Sequence, residues 1–250
     1  MHKFTSGMAA LALCVALSVP SFAATGYASN TIDRDDYRPS TTTNTNSSSD
    51  RTQTSTSNTQ KAETQLTSSK VSQSISAAVK GGNTTATVKV SNAKTIDAAT
   101  IKEVAAQATK SGVAATIHAD QVQGNKVVAR LYIDPAKAAN LTGTIDLTAS
   151  VDAESTKVAT DVFNKFFENE IAAIHLGQSG SYGMNIGVAV KVDLSNLDVE
   201  NLHFFVYNRE TNTYVTLTEP NYYIDANGYL HFDTQVGGDV IISDQALTAK

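Results

Sequence analysis

The chain has 250 residues and a mildly acidic balance, with 19 Lys and Arg against 24 Asp and Glu and a formal net charge of −5. Phosphate binding needs a clustered basic face, and the sequence contains no cluster of Lys and Arg, so we expect no nucleic-acid partner. Its one Cys, Cys14, lies in an apolar N-terminal run. The fold beyond that run is therefore expected to be held by its core and not by disulfides.

Residues 1–23 have the three-part pattern of a secretory signal peptide. A weakly basic start at His2 and Lys3 is followed by an apolar run, Met8–Val19, and small residues stand at the −3 and −1 positions of a cut after Ala23. The run of about 12 residues is too short to span a bilayer, which takes roughly 20. We therefore expect an exported protein, either secreted or retained at the cell surface.

The apolar run leaves two other interpretations open. One is a buried core helix, although no polar face interrupts the run. The other is lipidation at Cys14, although Leu13 stands where a lipidation signal needs a small residue. No second apolar run long enough to span a bilayer follows, so we expect no membrane span after signal cleavage.

Residues 24–80 are predicted to form a disordered Ser/Thr-rich linker. Nearly every residue from Ser40 to Gln60 is Ser, Thr, Asn or Gln. Such a segment has no apolar face whose burial would offset an ordering entropy of about 1–2 kcal/mol per residue. It would act as a stalk or passive tether. At its end, apolar residues about four apart favour a short helix: Leu66, Val71, Ile75 and Val79.

Residues 83–151 are predicted to form a β-rich half with one helix. The helix spans Ala98–Ser111, with Asp97 as its N-cap and Gly112 just after its end. Alternation of apolar and polar residues predicts strands before and after it. They are Thr85–Val90, a strand that opens at Val113–Ile117 and ends at the Gly124-Asn125 turn, Lys126–Ile133 and Leu141–Val151. The polar face of the last strand is mostly Thr, Ser and Asp, which is typical of an antiparallel sheet with one wetted side.

Residues 152–245 are predicted to form a second β-rich half with hairpins. A helix at Ser155–Asn169 leads to a strand, a glycine-rich turn at Gly177–Gly183 and a further strand. Asn227-Gly228 is the strongest hairpin signal in the chain. The short strands of this half are expected at Ile171–Leu176, Met184–Val192, Leu202–Tyr207, Tyr214–Leu217, Tyr222–Asp225, Tyr229–Asp233 and Asp239–Ser243.

These patterns together predict a mainly β fold, an antiparallel β-sandwich or meander with one or two short helices. The approximate 160 residues after Asn83 can bury one sizeable core or two small ones. The sequence leaves open whether residues 83–245 form one compact domain or two.

Residues 171–243 resemble a module of uncharacterised secreted and cell-surface β-proteins of gut Clostridia. The matching motifs are Gly180-Ser181-Tyr182-Gly183, Leu202–Asn208, Asp225–Phe232 and Gly238–Ile242. Residues 95–150 look like the companion half, with a looser match. The resemblance implies a secreted, often cell-surface, non-catalytic module, and it implies no catalytic residues. This chain carries no obvious second functional domain, unlike the larger relatives.

No catalytic or metal-binding constellation stands out in the sequence. Residues 177–181 approach a nucleophile elbow but lack the final Gly and lie between two predicted strands, where an elbow needs a strand and then a helix. Beyond the predicted signal peptide, four His residues are scattered singly, without a HExxH pattern, and a zinc site from His203 and His231 is one geometric alternative. A weak surface calcium site at Asp193–Glu200, which contains three acids, is another. We therefore expect no catalytic residues, no metal and no cofactor, and a protein that is not an enzyme.

Tyrosines cluster in the C-terminal hairpins. Exposed on one face they could stack on sugar rings, and packed across strands they would instead add about 0.5–1 kcal/mol for each aromatic pair. Tyr222 and Tyr223 are adjacent and so point to opposite faces of a strand. The candidate glycan contacts are Tyr222, Tyr223 and Tyr214.

The sequence thus favours an exported, non-enzymatic module with a structural, adhesive or protein-binding role. One alternative is a glycan-binding module that uses the tyrosine hairpins, and another is a hydrolase whose site assembles only in space. The expected partner is a cell-wall or host glycan or a surface protein. Oligomeric state and release or retention at the wall stay open.

Overall fold

The structure, a computed structural model, describes residues 65–218 and 220–247. These residues belong to one compact unit, Asn58–Lys250. The predicted signal peptide at 1–23 and the linker up to residue 64 lie outside the described residues.

The described residues form three α-helices and a short 3₁₀ turn where the sequence supplies caps. Helix α1 spans Ser68–Lys80, α2 spans Ala98–Lys110 and α3 spans Ala153–Phe163, and the 3₁₀ turn is Pro135–Lys137. Asp97 accepts a hydrogen bond from the Thr100 N–H at 2.8 Å, which confirms it as the N-cap of α2. None of the described helices is long and apolar enough to cross a membrane.

Helix α1 lies at the end of the stretch that the sequence assigns to a linker. Its buried residues are Val71, Ile75 and Ala78, which pack into the main core. The short helix that the apolar spacing favours is thus confirmed, although Val79 is exposed. Helix α3 ends at Phe163, six residues before the predicted Asn169.

Eleven strands are described, and nine of them form one sheet in the order β1-β3-β4-β7-β11-β8-β9, with β6 on β7 and β10 on β11. The other two, β2 and β5, pair separately. The bounds are β1 Thr85–Ser91, β2 Thr95–Asp97, β3 Ala114–Gln123, β4 Lys126–Ile133, β5 Thr144–Asp146, β6 Ala149–Ser150, β7 Ala172–Val190, β8 His203–Asn208, β9 Thr213–Leu217, β10 Tyr223–Ile224 and β11 Leu230–Ser243.

The mainly β fold class is confirmed, and the sheet is mixed. Strands β1 and β3 are parallel because α2 crosses between them, whereas the other pairs in the sheet are antiparallel. The part of the chain that the structure describes has three α-helices, where the sequence predicted one or two.

The predicted turn at Gly177–Gly183 is wrong, because β7 runs through it as one strand of 19 residues. Strand β11 is likewise continuous across the gap predicted between Asp233 and Asp239, and it pairs with β7 along its length. The register shifts between residues 234 and 239, opposite Gly180, which has φ of 80°. Glycines in positive φ therefore form bulges here and not a reversal of the chain.

One main core draws on both halves of the predicted organisation. Strand β4 pairs with β7, so strands from 83–151 and from 152–245 share the sheet. The core includes Leu131 on β4 and Val188 on β7, together with Ile174 and Phe204 from the other part of the sheet. The arrangement is sandwich-like, since two parts of one bent sheet supply a common core.

A second, smaller core lies on the opposite face of the sheet, beneath α3. Phe163 of α3 is 2% exposed and packs against Phe205 and Tyr207 of β8, with ring centroids 6.5 and 5.7 Å apart. Ile241 of β11 completes the contact. Helix α3 thus covers the β8 end of this face, whereas α1 and α2 pack on the other face.

Candidate functional site

At the other end of the α3-bearing face, four rings from four strands line up across the sheet. His118 of β3 lies edge-on to Tyr132 of β4 at 4.8 Å, and Tyr132 is stacked 6.2 Å from His231 of β11. Tyr223 of β10 stacks on His231 with centroids 4.4 Å apart and planes 6° apart. We call these four side chains the histidine–tyrosine layer.

Small residues on β7 make room for this layer. Gly187 pairs with Tyr132 on one side and with Asp233 on the other. A Cβ on Gly187 would lie 3.2 Å from Tyr132 Cβ and 3.5 Å from Asp233 Oδ1. Ala189, the next residue on this face, lies between Arg130 and His231. The large side chains of β4 and β11 therefore approach each other across β7.

A buried ion pair lies beside the layer, on the same face of the sheet. Asp120 and Arg130 face each other on β3 and β4, are 7% and 5% exposed, and form a two-point pair with Arg130 Nη2 2.8 Å from Asp120 Oδ2. Burial alone would lower the pKa of Arg130, but the hydrogen bonds and charge of Asp120 raise it above its ordinary value. The guanidinium also lies over the Tyr132 ring, 5.8 Å from its centroid.

Both histidines of the layer are neutral near pH 7. Burial, aided by the charges of Arg130 and Lys89, lowers the pKa of His118 to about 3. Burial also lowers the pKa of His231, against the opposing effect of Asp225. The Nδ1 atoms of both rings are buried and lack a hydrogen-bond partner in the described part of the chain.

Asp225 fixes the hairpin that brings Tyr223 to the layer. Its Oδ1 accepts hydrogen bonds from the N–H groups of Asn227 and Tyr229, each at 2.9 Å. Burial opposes ionisation of Asp225, but these bonds and His231 outweigh it and lower its pKa. His231 Nε2 lies 3.3 Å from Asp225 Oδ2, so the neutral ring donates from Nε2 to the charged carboxylate.

The Asn227-Gly228 hairpin predicted from the sequence is confirmed. The Gly228 N–H donates to the Asp225 carbonyl at 3.0 Å, and Gly228 has φ of 77°. Strands β10 and β11 pair directly beyond this turn.

The three predicted glycan contacts lie in three different places. Tyr222 packs on Phe204 at 5.2 Å and its hydroxyl accepts from the Leu202 N–H at 3.0 Å, so it faces the main core. Tyr223 is 42% exposed and points to the opposite face, as adjacent residues of a strand must. Only Tyr223 belongs to the layer.

Tyr214 stands at the α3 end of the same face. It is 48% exposed and packs edge-on to Phe163 at 5.9 Å. Tyr214 pairs with Tyr207 of β8, and Tyr207 pairs with Asp239 of β11. Asp239 is eight residues along β11 from His231, which pairs with Tyr223. At about 3.3 Å per residue, the two tyrosines are separated by roughly 25 Å along the strands, too far to share one sugar ring.

A second cluster, of charged groups, holds the start of α3. Asp239 is fully buried, with Oδ1 2.8 Å from His175 Nδ1 and 2.7 Å from Arg209 Nη2. Arg209 Nη2 also donates to the Ser155 carbonyl in the first turn of α3. Burial would raise the pKa of Asp239, but hydrogen bonds from His175 and Arg209 lower it.

This second cluster contains the parts of a Ser–His–Asp arrangement, but of its hydrogen bonds only the one between His175 and Asp239 is formed. Ser150 lies directly opposite His175 on the neighbouring strand, but its hydroxyl contacts the Asp152 carboxylate. Arg209 shares the Asp239 carboxylate, which lessens the charge that would stabilise an imidazolium. The cluster is therefore built to pin α3 to the sheet.

The described residues do not bring three metal-ligating side chains together. His203, the predicted alternative ligand, pairs with Ser243 on β11, twelve residues along that strand from His231. These two histidines are therefore separated by roughly 40 Å of extended strand, and they cannot share an ion.

Sequence reasoning missed most of the histidine–tyrosine layer. His118, Asp120, Arg130 and Tyr132 occupy the non-core positions of two predicted strands, where polar residues usually face solvent. The available signal was that these positions hold aromatic and charged residues, while the neighbouring strand offers Gly187 and Ala189. This signal can be interpreted only when the order of the strands in the sheet is known.

Comparisons with protein-family models, curated proteins and solved structures give no significant match to this chain. The resemblance of residues 171–243 to secreted modules of gut Clostridia therefore stays an expectation.

Proposed function

We propose that this chain is an exported, non-enzymatic module that adheres to a glycan outside the cell or at its surface. Export is supported by the signal-peptide pattern of residues 1–23. The Ser/Thr-rich residues up to 64 would then hold the β-rich unit away from the cell. The proposal that the ligand is a glycan is supported by a single structural observation, the exposed and rigidly stacked ring of Tyr223.

Tyr223 meets the two requirements of a sugar-stacking residue. It is 42% exposed, which leaves aromatic surface for a ligand, and its stack on His231 fixes the ring before any ligand arrives. An aromatic ring that is already ordered loses little conformational entropy on binding. The buried ring of His231, the half-buried ring of Tyr132 and the Asp120–Arg130 pair beside them provide that rigidity.

Polar groups that can bind sugar hydroxyls stand beside Tyr223. Asp225 is half-buried and ionised, and Asn227 is exposed in the same hairpin. Asp233, the next residue of β11 on this face, is half-buried. Burial raises its pKa against the opposing effects of Asn185 and Lys137. Carboxylates and amides of this kind orient a ring that an aromatic face holds.

The test is a glycan array probed with the exported protein and with two single-tyrosine variants. We expect Tyr223→Ala to weaken binding by roughly tenfold, equivalent to about 1.4 kcal/mol. Tyr214→Ala is the matched control, since Tyr214 is equally exposed but lies at the far end of the face. Equal binding by both variants would remove Tyr223 from the site.

Two further outcomes separate the parts of the proposal. A blank array with retained binding to whole cells would replace the glycan by a protein partner, the adhesive role that the sequence also favours. Mass spectrometry that finds Met1 retained on a protein in the cytoplasm would overturn export itself.

A further inference from the structure

Strand β9 forms one end of the main sheet. It pairs with β8 over five residues, Thr213–Leu217, and no described strand pairs with its other side. Its side chains are exposed along nearly the whole strand. The outward N–H and C=O groups of β9 thus form a template for a further strand.

Strand β9 lacks the features that usually protect an edge. Its sequence, Thr-Tyr-Val-Thr-Leu, has no charge, no Pro and no Gly, and it is rich in residues that favour strands. The edge at the other end of the sheet differs, because β1 carries an exposed Lys89 and α1 packs against it. The two edges are therefore not equivalent, and of the two β9 is the one suited to strand addition.

Exposed apolar side chains extend this edge into a surface. Tyr214 and Val215 of β9 are 48% and 43% exposed and point to opposite faces. Phe166, 48% exposed, lies beyond Phe163, which contacts both Phe166 and Tyr214 at about 6 Å. A strand added to β9 would cover apolar surface on both faces of the sheet.

We propose that a second copy of this chain occupies the β9 edge, as an antiparallel β9–β9 pair with its twofold axis at Val215. In that register Val215 faces Val215 of the second copy, Tyr214 faces Thr216, and Thr213 faces Leu217. Every pair is uncharged, so self-association brings no like charges together. A twofold contact of this kind is closed, since each copy uses its one β9 edge.

The pairing is tested by sedimentation equilibrium of the exported protein over a range of concentrations. We expect a dimer for the natural chain and a monomer for Val215→Lys, because facing lysines at the axis repel. Val199→Lys is the control, as Val199 is 41% exposed in the loop between β7 and β8. This control should remain dimeric.

Amide hydrogen exchange provides a second measurement on the same samples. In the natural chain, β9 amides that point away from β8 should exchange slowly, and in Val215→Lys they should exchange fast while β8 amides stay protected. A natural chain that is monomeric at its highest soluble concentration would overturn the proposal, as would a dimer that survives Val215→Lys. Glycan binding by Tyr223 is independent of both results.

Discussion

His118 shows how the sheet controls the charge of a single residue. Its ring is 6% exposed between Lys89 and Tyr132 in the cross-strand row, with Arg130 nearby. Burial is the largest cause that disfavours the imidazolium, and the positive charges of Arg130 and Lys89 act in the same direction. The folded chain therefore keeps His118 neutral at a pH where the unfolded chain would already bind a proton.

This difference predicts a loss of stability in mild acid. The pKa of His118 is about 3 in the folded chain and about 6.5 in an unfolded one, so below pH 6.5 the unfolded state binds more protons. The contribution of the neutral His118 to the free energy of unfolding is complete above pH 6.5, and it is lost as the pH falls towards 3. Between pH 7 and pH 5 the loss from this one group is roughly 2 kcal/mol.

Urea unfolding at pH 7 and pH 5 measures this effect. The fall in unfolding free energy should be smaller in His118→Gln, which cannot titrate, than in the natural chain. An NMR titration of the His118 ring, assigned by its absence in the variant, gives a direct check. A midpoint near pH 6.5 would contradict the buried, neutral histidine.

At the scale of elements, α3 is held to the sheet at both ends. Arg209, which Asp239 holds in place, donates to the Ser155 carbonyl in its first turn, and Phe163 anchors its last turn in the smaller core. Besides the exposed Phe166, four aromatic rings surround Phe163 within 6.5 Å: two on β8, one on β9 and one just past the helix. This helix covers that end of the face together with Phe167, which follows it, and Leu247.

Phe163→Ala is therefore expected to destabilise the protein by about 3–5 kcal/mol, since it leaves a cavity in a well-packed aromatic cluster. Phe166→Ala is the matched control, because the same side chain three residues later is 48% exposed, and it should cost less than about 1 kcal/mol. Unfolding in urea gives both values. Equal effects would mean that α3 does not pack through Phe163.

At the scale of the whole molecule, long-range pairing joins the two predicted halves. Strand β4 pairs with β7 over five residues, and the Tyr229 hydroxyl donates to the Val127 carbonyl at 2.5 Å across 102 positions of the chain. The main core likewise takes residues from both halves. Neither half can bury its apolar face alone.

We therefore expect fragments 83–151 and 152–245 to remain unfolded when separate, whereas residues 65–247 unfold in one cooperative transition. Circular dichroism and the dispersion of amide NMR signals distinguish these cases. A well-dispersed spectrum from either fragment alone would show that it has an independent core.

The sequence alone determined the features that depend on neighbouring residues. The alternation in Lys126–Ile133 predicted β4, Asp97 predicted the start of α2, and Asn227-Gly228 predicted the last hairpin, because each signal acts within a few residues. The mainly β class follows from the sum of such signals. Export and the linker up to residue 64 rest on the same kind of pattern, in residues outside those described.

Only the tertiary structure decided which strands lie side by side. Gly180 and Gly183 look like a turn in the sequence, yet β11 pairs alongside them and makes them part of one long strand. His118 and Tyr223 likewise become members of one layer only when β3, β4, β7, β11 and β10 are placed in order. Contacts between residues about a hundred positions apart leave no local pattern, since the energy of each belongs to the pair and not to either segment.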